Sequence, residues 1–414
     1  MDAPTTPQDD PNRLRVLRNR VKALQRKPQP AQRTPEWFAA RNTRVTASEA
    51  ASCLYKSQKI CEEYVKQFNI KNFRYKDTES LNHYETREDY IIKKCTGFYG
   101  ESVFKDTVFT LWGKKYEEVA NRLYCQLNNT TVIEFGLLPH PRLKWLAASP
   151  DGITPDGVML EIKCPKSRKI DETSVPIHYW IQTQVQLEVA DLDFCDFFEC
   201  EIEEMVSEQQ FLEQTLGERQ AKGILLQVCN SGPDPKFIYP PLDIIEPEQY
   251  IVWMRENLEQ DPTLIPTYYF ITKYNNQRVP RSKTWFANAR DDIRATWEIL
   301  MHLQKSRENF DKYKQSIHLI KSKKFYERYE STMCEIEDDI STFIFENSDL
   351  SSNEGNEGNE GNEGNERNVS NVSNQETHEL DTTDQNTNDK GQPTVNNTTN
   401  NTTGQNNDPL CLID

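Results

Sequence analysis

Two short segments decide the fold of this chain: SPDG at residues 149–152 and EIKCP at residues 161–165. The first segment ends one apolar run, and the second lies within another. The residues between the two runs include Pro155, Asp156 and Gly157, which favour turns. The pattern therefore predicts two adjacent antiparallel strands joined by a tight turn.

The predicted hairpin presents two carboxylates and one ammonium group at one place. Antiparallel pairing brings Asp151 close to Glu161, and side chains two residues apart in a strand, such as Glu161 and Lys163, point to the same face. Charges in an apolar strand are costly unless they are paired or bind something. Two carboxylates suit a hard cation such as Mg²⁺ or Mn²⁺, which activates water and stabilises charge on a phosphate. The alternative is a solvated hairpin with ordinary surface charges.

The charge of the chain is unevenly distributed. The formal net charge is −16, and residues 351–414 hold twelve acidic residues against two basic ones. Residues 11–34 hold eight basic residues and no acidic residue. The overall acidity therefore does not exclude a nucleic-acid partner, because the local distribution decides. Three interpretations of the basic segment stay open: contact with a phosphate backbone, a solubilising tail, or a helix docked on the protein's own acidic surface.

Hydrophobic periodicity predicts the elements around the hairpin. Thr34 as an N-cap, with Pro35 at the first helical position, predicts a helix start. The other predicted elements are helices at 46–54, 113–127, 177–190, 251–258 and 285–345 and strands at 131–138 and 194–202. This order predicts a mixed α/β core with a central sheet.

Basic and aromatic residues interleave between positions 268 and 290. The basic residues are Lys273, Arg278, Arg281, Lys283 and Arg290, and the aromatic ones are Tyr268, Phe270, Tyr274 and Trp285. Such interleaving binds nucleic acid in some proteins. In others it reflects core aromatics beside a solvated charged face, and the sequence leaves both interpretations open.

The cysteines and the hydropathy pattern indicate in which cellular compartment the protein is located. The ten cysteines include no CxxC pair and no zinc-ligand spacing. The N terminus lacks an apolar signal core, and no apolar run is long enough to span a membrane. We therefore expect an intracellular protein that is not secreted, with reduced thiols and no membrane partner.

Four sequence blocks, in order, give the chain a family resemblance. They are TPEW (34–37) with Arg41 and VTASE (45–49), WGKKYE (112–117) with Ala120, the hairpin at 149–165, and Tyr179 with Gln182 and Gln184. Together they resemble the phage lambda-type exonucleases, or YqaJ-like viral recombinases, of the PD-(D/E)XK nuclease superfamily. The chain is most similar to the versions carried by large eukaryotic DNA viruses. The resemblance covers roughly residues 34–205, less than half of the chain.

The resemblance implies catalytic roles for the matched residues. The implied ligands of Mg²⁺ or Mn²⁺ are Glu117, Asp151, Glu161 and the main-chain carbonyl of Ile162. Lys163 would act on the attacking water, and Gln182 would fix that water or a neighbouring group. Two assignments stay open: Glu118 adjoins Glu117, and Gln184 and Gln186 compete with Gln182.

A second group of residues is expected to bind the substrate's phosphates. Arg41 and Ser48 match positions that hold a terminal 5′-phosphate in the family, and a helix that begins near Thr46 favours an anion. Lys166 and Arg168, just beyond the hairpin, are expected to add phosphate contacts. The alternatives are that Arg41 caps its helix and that Ser48 begins a helix without binding a ligand.

The resemblance also implies an architecture. We expect a restriction-endonuclease-like core with a central mixed sheet flanked by helices. The predicted regions are a basic, poorly ordered arm with at most one helix (1–33), a nuclease domain (34–275), a helical extension (276–347) and a disordered tail (348–414). The tail is rich in Asn, Glu, Gly and Thr and has almost nothing apolar to bury.

The implied activity is magnesium-dependent hydrolysis of linear duplex DNA from the 5′ end, which leaves 3′ single strands for recombination or repair. The implied partners are double-stranded DNA ends, a single-strand annealing protein and two further copies of the chain in a trimer. The expected location is the host nucleus or a cytoplasmic viral replication site. Two alternatives stay open: an endonuclease or flap nuclease on the same core, and a non-catalytic DNA-binding scaffold for recombination.

Overall fold

The computed structural model describes residues 10–101, 107–229 and 235–325, all within one compact unit, Met1–Glu337. The helices are α1 (Pro11–Gln25), α2 (Pro35–Asn42), α3 (Gln58–Gln67), α4 (Arg87–Phe98), α5 (Val108–Asn128), α6 (Ile177–Ala190), α7 (Glu208–Glu213), α8 (Pro247–Gln260) and α9 (Lys283–Gln304). A 3₁₀ helix covers Ala47–Cys53, and residues 307–325 are helical. The predicted tail lies outside the described residues.

The strands are β1 (Val45–Thr46), β2 (Tyr55–Lys56), β3 (Lys76–Ser80), β4 (Leu138–Pro139), β5 (Leu146–Ala148), β6 (Gly152–Ile153), β7 (Val158–Lys163), β8 (Phe194–Met205), β9 (Ala221–Val228), β10 (Lys236–Ile238) and β11 (Ile265–Pro280). Over the described ranges, the largest sheet has the order β10-β9-β11-β8-β7-β6, and a smaller one has the order β1-β5-β4. In the large sheet β7 and β8 are parallel, and the other neighbours are antiparallel. The predicted mixed α/β core is confirmed.

Helices cover both faces of β7. Leu160 and Ile162 pack in one apolar cluster with Tyr116 of α5, whereas Met159 packs in another with Trp180 of α6. This division follows from the alternation of side chains along a strand. Helix α6 is buried along most of its length because it lies in the core between the sheet and α9. The sheet therefore presents one side of β7 to α5 and the other to α6.

Most predicted helices are confirmed, with small shifts at their ends. The hydroxyl of Thr34 accepts a hydrogen bond from the N–H of Trp37 at 3.2 Å, as expected of an N-cap. Helix α6 has the predicted bounds. Helix α5 begins earlier than predicted because Thr107 caps it, accepting from the N–H of Thr110 at 3.2 Å.

The predicted strand at residues 131–138 is wrong. Only Ile133, in an isolated bridge to Ile153, and the short strand β4 pair with other strands in this segment. Between them, the N–H of Gly136 donates to Oε1 of Gln29 at 2.7 Å, and the next N–H along the chain donates to the carbonyl of Pro30 at 3.0 Å. The segment satisfies its hydrogen bonds with residues 29–30 instead of a sheet neighbour.

The basic segment near the N terminus contains helix α1, which is docked on the core. Helix α1 buries an apolar stripe formed by Leu17, Val21 and Leu24. Its arginines pair with acidic residues of the core: Arg13 with Asp193, Arg18 with Asp156 and Arg20 with Asp191. Of the three interpretations left open by the sequence, docking on the protein's own acidic surface is the one observed.

The predicted boundary after residue 275 falls inside β11, which pairs with β8 and β9 in the central sheet. Helix α9 then packs against α6, with 5.4 Å between the ring centroids of Trp285 and Trp180. Residues 276–304 are therefore part of the core rather than a separate extension. Residues 307–325 are helical as predicted, and the rest of the predicted extension lies outside the described residues.

The basic and aromatic residues between positions 268 and 290 are largely structural. The cations pair with acidic residues: Lys273 with Glu172, Arg278 with Asp196, Arg281 with Glu188 and Arg290 with Asp291. Trp285 is fully buried. These contacts favour the interpretation as core aromatics with charged neighbours.

Within the described part of the chain, no helix combines the length and the apolar character needed to cross a bilayer.

Candidate active site

The predicted hairpin is confirmed and sets the geometry of the site. Strands β6 and β7 are antiparallel, with Gly152 opposite Leu160. This register brings Asp151, just before β6, across from Glu161. The Oδ2 atom of Asp151 accepts a hydrogen bond from the main-chain N–H of Ile162 at 2.7 Å. The aspartate carboxylate is thus held directly against the strand that carries the glutamate.

Glu161 is fully buried, and both of its carboxylate oxygens are hydrogen-bonded. Oε1 accepts from the ammonium of Lys163 and from Nε2 of Gln182 at 2.5 Å. Oε2 accepts from Nε2 of Gln186 at 2.7 Å. The two glutamines are four residues apart on α6 and share a face. Gln182 and Gln186 thus both contact the carboxylate, and Gln184 instead bonds the chain just before α9.

Lys163 supplies the positive charge that balances this carboxylate. Burial lowers its pKa, but Glu161 and Asp151 raise it more, so the pKa of Lys163 lies above its usual range. The ammonium nitrogen also lies 5.0 Å from the ring centroid of Tyr179. Because 23% of the Lys163 side chain is exposed, the group is accessible from outside the protein while it contacts the buried glutamate.

Helix α5 brings a third carboxylate to the hairpin. The pKa of Asp151 is raised well above its usual range, first by burial and then by Glu161 and Glu117. The pKa of Glu117 is also raised, first by burial and then by Glu161, although Arg33 and Lys163 oppose the shift. The charges of the three carboxylates thus oppose one another. Negative charge concentrated in this way favours a cation.

Glu117, Asp151 and Ile162 line a single cleft of about 630 Å³. Their oxygen donors fit the chemistry of a hard divalent cation. In the part of the chain that the structure describes, however, no three His, Cys, Asp or Glu side chains lie together closely enough to hold a metal ion. The reason is visible in the hydrogen bonds: Glu161 is turned towards the amides of α6, and Glu117 is held by Arg33.

Glu118, the alternative to Glu117, has a partner on its own helix. Its Oε1 atom accepts from Nε of Arg122 at 2.6 Å, one turn further along α5. Glu118 also lines the cleft, but Glu117 is the helix carboxylate that raises the pKa of Asp151. The structure therefore favours Glu117 as the third carboxylate of the site.

The residues predicted to hold a 5′-phosphate lie beside the strand that leads into the hairpin. Strands β1 and β5 are parallel, with Thr46 opposite Ala147. The indole N–H of Trp37 donates to Oγ of Ser149 at 2.9 Å, and the Arg41 guanidinium lies 4.3 Å from the Trp37 ring centroid. A hydrogen bond therefore joins this region directly to the start of the hairpin.

Within that region, the predicted residues differ in exposure and in bonding. Ser48 is exposed, whereas Thr46 is buried and donates its N–H to Glu49 at 2.9 Å. Arg41 pairs with the same glutamate at 3.2 Å, and Lys94 does so at 2.7 Å. Burial raises the pKa of Glu49, but the two cations lower it to about 2. Arg41 thus has a structural partner, and Thr46 serves the main-chain fold.

The two cations beyond the hairpin take different positions. The ammonium of Lys166 lies 4.7 Å from the ring centroid of Trp112 on α5. Arg168 pairs with Glu199, a fully buried residue of β8. Arg168 is therefore bound inward to the protein, and Lys166 is the cation of the two that lies beside α5.

In the sequence Arg33 belongs to the basic segment for which contact with a phosphate backbone was one interpretation, and Gln186 is a competitor of Gln182. The helical spacing of Gln182 and Gln186 was a usable signal for the second glutamine. Arg33 had no such signal, because its contact with Glu117 depends on the path of the chain between α1 and α2. The atoms Nη2 of Arg33 and Oε2 of Glu117 are 3.1 Å apart.

Comparisons with known proteins point to one family. Residues 36–193 match the YqaJ-like viral recombinase domain. Over 191 residues the chain is 32% identical to an uncharacterized protein of Acanthamoeba polyphaga mimivirus, an alignment that covers 37% of this chain. The chain spans 35% of the length of that curated relative.

Among solved structures, the chain is similar to an alkaline exonuclease from Laribacter hongkongensis, LHK-Exo, and to that protein's complex with dAMP. Identity is 18% in both cases, the TM-scores are 0.37 and 0.39, and the matches cover 69% of this chain and 100% of LHK-Exo. A phage related exonuclease from Haemophilus somnus is 12% identical, with a TM-score of 0.36 over 63% of this chain and 94% of that one.

The family match contains the four residues of the hairpin site, Asp151, Glu161, Ile162 and Lys163, together with Glu117 and Gln182. It confirms the resemblance that the four sequence blocks predict. Residues 36–193, less than half of the chain, are therefore similar to the YqaJ-like viral recombinase domain.

Proposed function

We propose that this protein is a metal-dependent deoxyribonuclease that hydrolyses linear double-stranded DNA from its 5′ ends and leaves 3′ overhangs for recombination or repair. The observation that carries the proposal is the hairpin, in which Asp151 lies across from Glu161 and Lys163 donates to that glutamate. A hairpin that brings two carboxylates and a lysine together suits phosphodiester hydrolysis. The match of residues 36–193 to a viral recombinase domain supports DNA as the substrate.

The residues that would hold Mg²⁺ or Mn²⁺ are Glu117, Asp151, Glu161 and the carbonyl of Ile162. A cation held there lowers the pKa of a water molecule and stabilises charge on the phosphate. The mutual repulsion of the carboxylates supports this assignment, since a cation would relieve it. A cation held there would replace Arg33 as the partner of Glu117.

Side chains of the protein then neutralise charge and position the reacting groups. Lys163, which stays protonated between Glu161 and Asp151, neutralises negative charge that develops on the phosphate. Gln182 and Gln186 fix the position of Glu161 through their amide N–H groups. The buried side of the site is thus held rigidly, and the cleft side is left for substrate.

Recognition of the DNA end is assigned to the region around β1. The exposed hydroxyl of Ser48 and the guanidinium of Arg41 lie near the strand that enters the hairpin, as the bond from Trp37 to Ser149 indicates. We infer that they bind the terminal 5′-phosphate and that Lys166 adds a contact to the backbone. Thr46 supports the main chain there, and Arg168 contributes through Glu199 rather than through DNA.

Cleavage assays with the full chain test this function. Linear duplex with a labelled 5′-phosphate is incubated with Mg²⁺ or with EDTA, and release of label is compared with that from 5′-hydroxyl and closed circular substrates. Lys163→Ala is expected to abolish cleavage, and Lys169→Ala, which changes an exposed lysine on the following loop, is expected to retain it. Cleavage of the closed circle would instead indicate an endonuclease, and DNA binding without any cleavage would indicate a scaffold.

The resemblance to phage lambda-type exonucleases also suggests protein partners. We propose that the chain assembles as a homotrimer and acts with a single-strand annealing protein, since both are expected of phage lambda-type exonucleases. Light scattering of the purified chain tests the trimer, and a monomer at all concentrations would contradict it.

A further inference from the structure

We propose that Arg33 is a phosphate-binding residue of this site: its guanidinium pairs with Glu117 while no cation is bound, and it binds a backbone phosphate of the DNA once a cation occupies the carboxylates. The inference rests on the proposed function and adds to it a residue that lies before the family domain.

The position of Arg33 is the first observation. Its Nη2 atom lies 3.1 Å from Oε2 of Glu117, and its side chain lines the cleft with Glu117, Asp151 and Ile162. Both partners of the ion pair are partly exposed, at 45% for the arginine and 43% for the glutamate. The guanidinium is therefore at the mouth of the cleft, on the side from which a substrate has access.

The backbone around Arg33 is fixed by the hairpin itself. Nε2 of Gln32 donates to the carbonyl of Phe135 at 2.9 Å and to that of Pro150 at 3.1 Å. The carbonyl of Pro30 accepts from the N–H that follows Gly136, and a Cβ added to Gly136 would lie 2.1 Å from the Pro30 oxygen. Residues 29–33, which we call the strap, thus pack against the segment before Asp151 with no room to shift.

The strap is also anchored further back along the chain. Helix α1 packs on the turn of the hairpin, where a Cβ added to Gly157 would lie 2.8 Å from the Cβ of Leu17. Arg33 itself has a φ of 67°, an unusual conformation for a residue other than glycine. A costly conformation that the surroundings enforce is typical of a functional position. The strap therefore fixes the Arg33 backbone and leaves only the side chain free to move.

Arg33 has two proposed partners, Glu117 without a cation and a DNA phosphate with one, and competition for the Glu117 carboxylate decides between them. Arg33 and a divalent cation would both bind Glu117, so the cation displaces the guanidinium. Because the strap keeps the arginine backbone at the cleft, the displaced guanidinium remains beside the metal site. A planar guanidinium binds phosphate oxygens in a forked arrangement. The group that neutralises Glu117 in the metal-free protein thus becomes available to the DNA backbone when the metal is bound.

The test uses the full chain and two readouts that do not depend on turnover. Mn²⁺ affinity is measured without DNA by titration calorimetry, and affinity for a 5′-phosphorylated linear duplex is measured in Ca²⁺ over a series of salt concentrations. For Arg33→Gln we expect Mn²⁺ to bind about 1.4- to fivefold more tightly, because an ion pair of roughly 0.2–1 kcal/mol no longer competes. We expect DNA to bind more weakly and the salt dependence to lose about one phosphate contact.

Two further variants sharpen the result. Arg18→Gln removes the same charge from the same N-terminal region, but Arg18 pairs with Asp156, outside the residues that line the cleft, so both affinities should match the wild type. Arg33→Lys keeps the charge without the fork, and it should restore the salt dependence while binding DNA less tightly than the wild type.

The inference is overturned if Arg33→Gln leaves either affinity unchanged, or if it weakens Mn²⁺ binding, since the arginine would then only support Glu117. A wild-type chain that binds neither Mn²⁺ nor DNA would overturn the proposed function itself, which is a distinguishable outcome.

Discussion

The carboxylate of Asp151 accepts a hydrogen bond from the main-chain N–H of Ile162, with 2.7 Å between the two atoms. This bond crosses the hairpin and places the aspartate beside the strand that bears Glu161 and Lys163. Because main-chain pairing sets the spacing, substitutions that keep the hairpin can change the charge of the site without moving it. The predictions below use that property.

Removing the charge of Asp151 should raise the thermal stability of the protein in EDTA and reduce its stabilisation by Mg²⁺. Asp151 is partly buried, and the charges of Glu161 and Glu117 act on it. Asp151→Asn keeps an oxygen for the bond from Ile162 but removes the repulsion, so the variant should melt at a higher temperature than the wild type in EDTA. Mg²⁺ should stabilise the wild type, by about 2.7 kcal/mol at a hundredfold excess over Kd, and the variant much less.

Thermal unfolding with and without Mg²⁺ measures both effects, and Asp156→Asn on the hairpin turn is the matched control. An equal Mg²⁺-dependent rise in Asp151→Asn and the wild type would exclude Asp151 as a metal ligand.

The pH dependence of stability should depend on Glu49. Burial raises its pKa, but Lys94 and Arg41 lower it from 4.5 to about 2. A carboxylate with a depressed folded-state pKa contributes stability above its unfolded pKa and loses it as the pH falls through the folded value. The free-energy difference between the wild type and Glu49→Gln should therefore be constant above pH 5 and shrink between about pH 4.5 and pH 2.

Urea denaturation at several pH values gives this difference directly. A difference that stays the same down to pH 2 would show that the Glu49 charge contributes nothing to folding.

An ion pair between a buried aspartate and a more exposed arginine ties β8 to β11. Asp196 of β8 is fully buried and accepts two hydrogen bonds from Arg278 of β11, at 2.7 and 2.9 Å, and one from the hydroxyl of Tyr124 at 2.8 Å. Removing Arg278 leaves the buried carboxylate without its counter-ion, so Arg278→Ala should lower the free energy of unfolding by about 1–3 kcal/mol. Denaturant titration checks this value.

Arg290→Ala is the control, because that arginine pairs at the surface with the exposed residue Asp291 and its loss should leave stability unchanged. Similar losses in Arg278→Ala and Arg290→Ala would mean that burial of Asp196 does not determine the cost.

Two glycines give a matched test of the strap. Gly136→Ala adds a Cβ that would lie 2.1 Å from the carbonyl oxygen of Pro30, so the strap must shift and the protein should lose about 1–3 kcal/mol of stability. Gly113→Ala adds a Cβ to α5 with no atom within 4 Å, and it should stabilise the protein by about 0.5–1 kcal/mol. Because Arg33 moves with the strap, Gly136→Ala should also weaken DNA binding in Ca²⁺. Unchanged stability in Gly136→Ala would show that the strap is not fixed at this point.

The sequence predicted the site better than it predicted the surroundings of the site. The hairpin and α6 depend on local patterns, namely turn residues between apolar runs and a helical period, so Asp151, Glu161 and Gln182 were found with their neighbours. The segment 131–138 has a strand-like composition, yet it bonds to residues 29–30, and no local pattern encodes that choice. The same long-range contact brings Arg33 to Glu117, so the basic segment alone did not indicate that the arginine lies beside the carboxylates.

The strand β11 shows a second limit. Its sequence interleaves cations with aromatic residues, a pattern shared by nucleic-acid surfaces and by strands whose charges pair across a sheet. Only the register of β11 against β8, which places Arg278 opposite Asp196, separates the two. The cations of β11 pair with acidic residues that are distant in the sequence, and a local pattern does not reveal such partners.

The central claim is that the Asp151–Glu161–Lys163 hairpin hydrolyses linear DNA, and one comparison tests it most directly. Wild-type chain and Lys163→Ala are incubated with 5′-labelled, 5′-phosphorylated linear duplex in Mg²⁺, after circular dichroism has shown that both are folded. We expect rapid loss of the 5′-labelled strand with the wild type, none in EDTA and none with Lys163→Ala. Digestion by Lys163→Ala at the wild-type rate would contradict it.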